Sequence, residues 1–196
     1  MKNSLEDLLK KAEDGNTDAM VDLALFYVYK DFDYENALMW LKRSFEHGNH
    51  DAILEIARVY ECMDIKKSKQ IDGVVMDIEY SSETIEWYQK ALNFYEEHYK
   101  DKTEYAFTAG ELLSGEDVIE MDHEKAFGYF LYLAHLQDEE DVIVKIARRR
   151  VAQMYRLGIG CNQDLEKSKY YRSISGYDEQ NVSHGVFRYY FKNEYL

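Results

Sequence analysis

One spaced set of residues recurs along this chain, and it constrains the fold more than any other feature. The set reads Ala19, Leu23, Ala24 and Tyr27, then Ala52, Ile56, Ala57 and Tyr60, and later Ala147, Val151, Ala152 and Tyr155. Spacings of four, one and three put all four residues on one face of a helix. The two small residues let a neighbouring helix approach closely. A weaker version survives as Tyr105, Ala109, Gly110 and Leu113. Self-similarity of this kind is the mark of a repeat architecture, in which each unit buries its apolar face against the next.

A second helical element follows each set. Beyond Tyr155 comes RLGIGCNQDLEKSKYY, a glycine-rich turn and then a helix carrying Ser168 and Tyr171. Beyond Leu113, Ala126 and Tyr129 fall at the same distances. Beyond Tyr27 a turn shorter by three residues leads to Ala37 and Trp40. Beyond Tyr60 the excursion ECMDIKKSKQIDGVVMDIEYSSET delays Ile85 and Tyr88. Asp122 and Asp164 precede their helices as N-cap candidates, and Gly15 and Gly48 sit where helices should end. The chain has no proline, which suits close-packed helices.

The pattern is similar to A-x3-LG-x2-Y-x2-G-x-GV-x2-D-x2-KA-x2-WY, that of the Sel-one-like repeat (SLR) family, relatives of the tetratricopeptide repeats. YRLGIGCNQDLEKSKYY (Tyr155–Tyr171) carries it most fully, with Cys161 in the valine position and Ser168 in the alanine position. TDAMVDLALFYVY and YENALMWLKRSFEHG resemble its two helices. The resemblance spans residues 3–176 and implies an all-α, right-handed α-α superhelix of about four helix-turn-helix repeats, whose first helices line a concave partner-binding face. Expected boundaries are a cap helix at 1–15 and repeats at 16–48, 49–98, 99–138 and 139–179. A closing helix at 180–196 carries Val182, Val186, Phe187, Tyr190 and Phe191, and the whole forms one domain. Repeat 2 holds an insertion at 61–82, and repeat 3 lacks the first alanine and the tyrosine. In the insertion, GVVMDIEY reads as a short strand, a lid or a packed loop, with the packed loop favoured.

Charge narrows the partner. Against 38 acidic residues stand 24 basic ones, for a net charge of −14. A general nucleic-acid binder needs the opposite sign, and so does a protein that docks on anionic lipid. No apolar run approaches the ~20 residues that span a bilayer. The start, MKNSLEDLLKKAEDG, reads as an amphipathic helix and not a secretory signal, so a cytoplasmic address is expected. Cys62 and Cys161 do not recur at matching repeat positions, so no disulfide framework is expected.

No catalytic constellation stands out. Cysteine-rich bacterial members of the resembled family were named for β-lactam hydrolysis, which needs a serine with lysine three positions on; none of the ten serines has one. His47 and His50 straddle Gly48 with no cysteine or second pair nearby, so neither a metal nor a cofactor is expected. Adjacent acids such as Glu96–Glu97 and Glu139–Glu140 point to different sides of a helix and read as a solvated face.

The expected groove lies beside the core stripe of each first helix. Repeat 1 offers Asp18, Asp22, Leu25 and Tyr29; repeat 2, Glu55 and Arg58; repeat 3, Phe107 and Glu111; repeat 4, Arg149, Arg150, Gln153 and Arg156. These are equally what ordinary solvated faces would show. The segregation by sign favours function: residues 1–98 hold 11 basic and 21 acidic side chains, net −10, and residues 99–196 hold 13 and 17, net −4. The expectation is a non-catalytic module, monomeric or weakly dimeric, that grips a cationic protein or peptide. Tyr29 and Phe107 serve as apolar anchors. An immunity protein for a basic toxin is its sharpest form; a bacterial signalling or secretion adaptor is the alternative, and a hydrolase with an unrecognised site the rival from another class.

Overall fold

The computed structural model describes residues 5–71, 74–76, 78–115 and 118–176. The expected closing helix at 180–196 therefore lies outside the described residues. Two compact units appear: Met1–Glu97 with Gly115–Glu120, and His98–Ser114 with Met121–Leu196.

In the first unit the elements are α1 (Leu5–Glu13), α2 (Thr17–Phe26), a π turn (Tyr27–Asp31), α3 (Tyr34–Glu46), α4 (Ala52–Lys67) and α5 (Ser82–His98). Helices α1 to α4 pack in sequence, each on the next. Their starts and stops follow local chemistry. Asn16 caps α2 by accepting from the Ala19 amide at 2.8 Å, and Asp33 caps α3 by accepting from Asn36. Gly15 and Gly48 take left-handed backbone, φ 94° and 91°, and turn the chain between helices. The repeated set is the core: Leu23, Ala24, Ile56 and Ala57 are fully buried, with Met20, Leu41 and Trp40 packed among them. Ser44 sits in this apolar layer because its hydroxyl donates to the Thr17 carbonyl at 2.9 Å.

The excursion after Tyr60 has more structure than a packed loop. No glycine follows Tyr60, so α4 runs on through Lys67, with Met63 packed on the core. Strands β1 (Lys69–Ile71) and β2 (Val74–Met76) then pair antiparallel, Gln70 opposite Val75. The favoured packed-loop reading of GVVMDIEY thus gives way to a strand over Val74–Met76. Asp64, buried in the last turns of α4, anchors the returning chain. Its carboxylate accepts from the Ser81 amide and hydroxyl, each at 2.8 Å, and from the Thr84 hydroxyl at 2.5 Å. Burial alone works to raise the Asp64 pKa; the Thr84 and Ser81 bonds, with Lys67, outweigh it and hold the carboxyl below its ordinary value.

The second unit contains α6 (Thr103–Gly115), α7 (His123–Ala134), α8 (Val142–Leu157) and α9 (Leu165–Ser173). Asp122 and Asp164 are the expected caps, accepting from the amides of Lys125 and of Glu166 and Lys167. Gly110 has a close-approach role, since a Cβ there would lie 2.8 Å from the Phe130 ring. Ser168, standing where the resembled pattern has alanine, donates to the Ala152 carbonyl at 2.7 Å. Tyr155 and Tyr171 stack with centroids 5.8 Å apart.

Candidate binding surface

On α2 the expected positions Asp18, Asp22 and Leu25 recur every three or four residues, which keeps them on one side of the helix, and Tyr29 follows in the π turn. Asp18 and Asp22 are exposed, Leu25 is half-buried, and Tyr29, carried by the π turn, is 65% exposed. Asp18 accepts from the Asn49 side chain at 3.4 Å, a contact between the start of α2 and the turn before α4. Asp22 is near enough in sequence to act with it, one helical turn on.

On α4 the picture changes. Glu55 is bound to Arg58 at 2.8 Å, so its charge is largely cancelled three residues away. An exposed pair of this kind adds little to stability and little to a long-range field. Leu54, beside it, is buried.

In the second unit two expected groove residues turn inward. Phe107 is 6% exposed and meets Phe130 edge-on at 5.6 Å, so it is a core residue and not a surface anchor. The physical reason is Gly110. Without a Cβ at that position the Phe130 ring comes close to α6, and Phe107 fills the space beside it. Glu111 is largely buried and binds Arg150 across to α8 at 2.9 Å. Burial raises the Glu111 pKa against the lowering effect of Arg150. One Glu111 oxygen, Oε1, is buried without a hydrogen-bond partner. The expected attractor Glu111 and the expected basic residue Arg150 therefore neutralise each other. Arg149 and Gln153 are half-buried, and Arg156 is exposed.

Sequence reasoning passed over Arg148. It is 7% exposed, and its guanidinium donates to three backbone carbonyls: Ala134 at 3.3 Å, Leu136 at 2.9 Å and Ile174 at 3.1 Å. Two of these lie at or just past the C-terminal end of α7 and one at that of α9, where orphan carbonyls favour a cation. The signal was present, because Val144, Ala147, Arg148 and Val151 form one helical stripe. An arginine on a core stripe must find acceptors.

The histidine pair considered for metal binding is dispersed. His47 contacts the Arg43 carbonyl through Nδ1, while His50 stacks on Phe94. Among the described residues no group of three or more His, Cys, Asp or Glu side chains is placed to hold a metal ion. Among them, too, no helix is long and apolar enough to cross a membrane.

No family model matches the sequence, and no curated protein does. Solved structures do. One is c5321, a protective antigen present in uropathogenic Escherichia coli strains displaying an SLR fold: TM-score 0.56, 20% identity, covering 90% of this chain and 34% of that one. Another is a Sel1 repeat protein from Oxalobacter formigenes, with TM-score 0.55, 19% identity, and coverage of 89% and 62%. This chain thus spans about a third of the first and under two thirds of the second. At such identities the likeness speaks for fold, and it agrees with the repeat read from the residues: the chain has an SLR-like helical repeat fold, with one short hairpin inserted after α4.

Proposed function

We propose that this chain is a non-catalytic module that binds a protein or peptide, and that its partner is cationic. The observation that carries the reading is the outer stripe of α2. There Asp18 and Asp22 stand exposed one turn apart and lead to the exposed ring of Tyr29. Carboxylates outside salt bridges attract and steer a basic partner, and an exposed tyrosine supplies rigid apolar area once it arrives. A net charge of −14 reinforces the field of that stripe. Within this class the charge balance favours an inhibitor of a basic protein, such as a nuclease toxin, because complementary charge speeds capture.

Selection of random displayed peptides on the immobilised chain tests the reading. Enriched sequences are expected to be rich in lysine and arginine, and their retention should fall sharply on the double variant Asp18→Lys/Asp22→Lys. Enrichment of acidic or uncharged sequences, or equal retention by that variant, contradicts it.

A further inference from the structure

In repeat 4, α8 ends at Gly158, whose backbone is left-handed at φ 72°. Glycine closes a helix this way without steric cost. Repeat 1 closes its first helix on an aromatic residue instead. The chain leaves α2 through the π turn, and Phe32 takes the left-handed position at φ 52°. Among the described residues it is the one non-glycine with positive φ. Its amide and that of Asp33 both return to the Tyr27 carbonyl, which fixes the conformation. A phenylalanine in this region is strained where glycine or asparagine is not. Burial does not offset the strain, because Phe32 is 63% exposed. Exposed Tyr29 lies three residues before it in the same turn.

Along the chain to either side of the two rings acidic residues predominate, although Lys66 of α4 stands over the Tyr34 ring at 5.3 Å. From Glu13 to Asn36 there are seven carboxylates and one cation, Lys30. Among the described residues none of the seven is in a salt bridge, unlike Glu55 and Glu111. Such a surface repels a second copy of this acidic chain and an anionic membrane alike. It suits a partner that brings positive charge together with an apolar side chain. Aromatic faces take either the apolar group or the cation itself.

We infer that the Tyr29–Phe32 turn is the docking point for a basic peptide segment: an apolar side chain lies against the two rings, and flanking lysine or arginine is held by the surrounding carboxylates. This rests on the reading of the chain as a protein-binding module and places its anchor at one turn.

The test uses the full chain and fluorescein-labelled synthetic peptides, read by fluorescence anisotropy. The probe is Gly-Ser-Lys-Arg-Phe-Arg-Lys-Ser-Gly, and its counterpart has glycine for phenylalanine. The phenylalanine peptide should bind at least ~5-fold tighter than the counterpart, as expected for a seated aromatic. Phe32→Gly and Tyr29→Ala should each erase that advantage, while Ile85→Ala, at an exposed apolar site outside the turn, keeps it. Because glycine relieves the backbone strain, Phe32→Gly should melt no lower than the parent, so lost binding cannot be lost folding. Phe32→Asn repeats the measurement with a second residue suited to the conformation. If the advantage survives in both Phe32→Gly and Tyr29→Ala, or disappears in Ile85→Ala too, the inference fails while the binding-module reading stands. If neither basic peptide binds the parent chain, both fail.

Discussion

Replacing Gly160 by alanine tests how closely successive repeats are seated in the second unit. The glycine lies in the turn between α8 and α9 with φ 66°, and a Cβ there would stand 1.9 Å from the His123 carbonyl oxygen and 2.5 Å from its carbon. His123 is the first residue of α7, directly after its Asp122 cap. Alanine in left-handed backbone costs about 1–2 kcal/mol. Relief of the clash must move a backbone carbonyl by more than an ångström, an overpacking effect of about 1–3 kcal/mol. Disturbing the Asp122 cap adds about 1 kcal/mol. Together these give a loss of roughly 3–6 kcal/mol, a fall in the urea midpoint of about 1–3 M at typical slopes. Gly158→Ala is the matched control. It shares the left-handed backbone, φ 72°, but its Cβ would meet atoms at 3.5 Å and beyond, so only about 1–2 kcal/mol is lost. Urea unfolding followed by far-ultraviolet circular dichroism measures both. Equal losses within ~0.5 kcal/mol would refute the close seating of the α8–α9 turn on α7.

Three further outcomes are expected. Arg148→Met leaves the carbonyls of Ala134, Leu136 and Ile174 without their donor; at about 1 kcal/mol each, the loss should reach about 3 kcal/mol in chemical unfolding, and a loss under ~1 kcal/mol contradicts the account. Glu111 has a folded pKa raised above its ordinary 4.5, so folding favours its protonated form and its contribution is lost as pH rises through the folded value. The stability of the parent relative to Glu111→Gln should therefore fall from pH 4.5 upward in a pH series of urea titrations, and a rise would overturn the assignment. Ala57→Leu should cost about 1–3 kcal/mol by overpacking a fully buried site, whereas Arg58→Ala, exposed one residue on, should change little; similar small effects in thermal melts would contradict the register.

The core was legible in the sequence because close packing leaves a strict record. Small residues at 24, 57 and 152, each beside a larger apolar neighbour, allow one register, and that register is the buried one. The binding surface was less legible for a related reason. Periodicity says which residues share a face but not whether a neighbouring helix covers it. Phe107 shares its face with Glu111, and the absent Cβ of Gly110 draws Phe130 close enough for Phe107 to enter the core. Pairings across helices, such as Glu111 with Arg150, join residues far apart in the chain and leave no local spacing to read. The insertion hid a hairpin because its strands are three residues each, although Asp72-Gly73 between β-prone runs is a known hairpin signal in a sequence. Phe32 escaped notice because nothing in composition marks a phenylalanine for left-handed backbone.

The central claim is that an acidic face of this repeat protein captures a basic partner, and association kinetics test it most directly. With a basic peptide recovered by selection, the association rate should fall steeply as salt rises from about 0.01 M to 0.15 M, where screening shortens from about 30 Å to 8 Å. Asp18→Lys/Asp22→Lys should slow association and flatten that salt dependence while leaving the melting transition in place, since both side chains are exposed. Removing the charges of Arg149 and Arg156 should leave association unchanged or faster. An association rate indifferent to salt and to the aspartate reversals, or one abolished by the arginine changes instead, would contradict the claim.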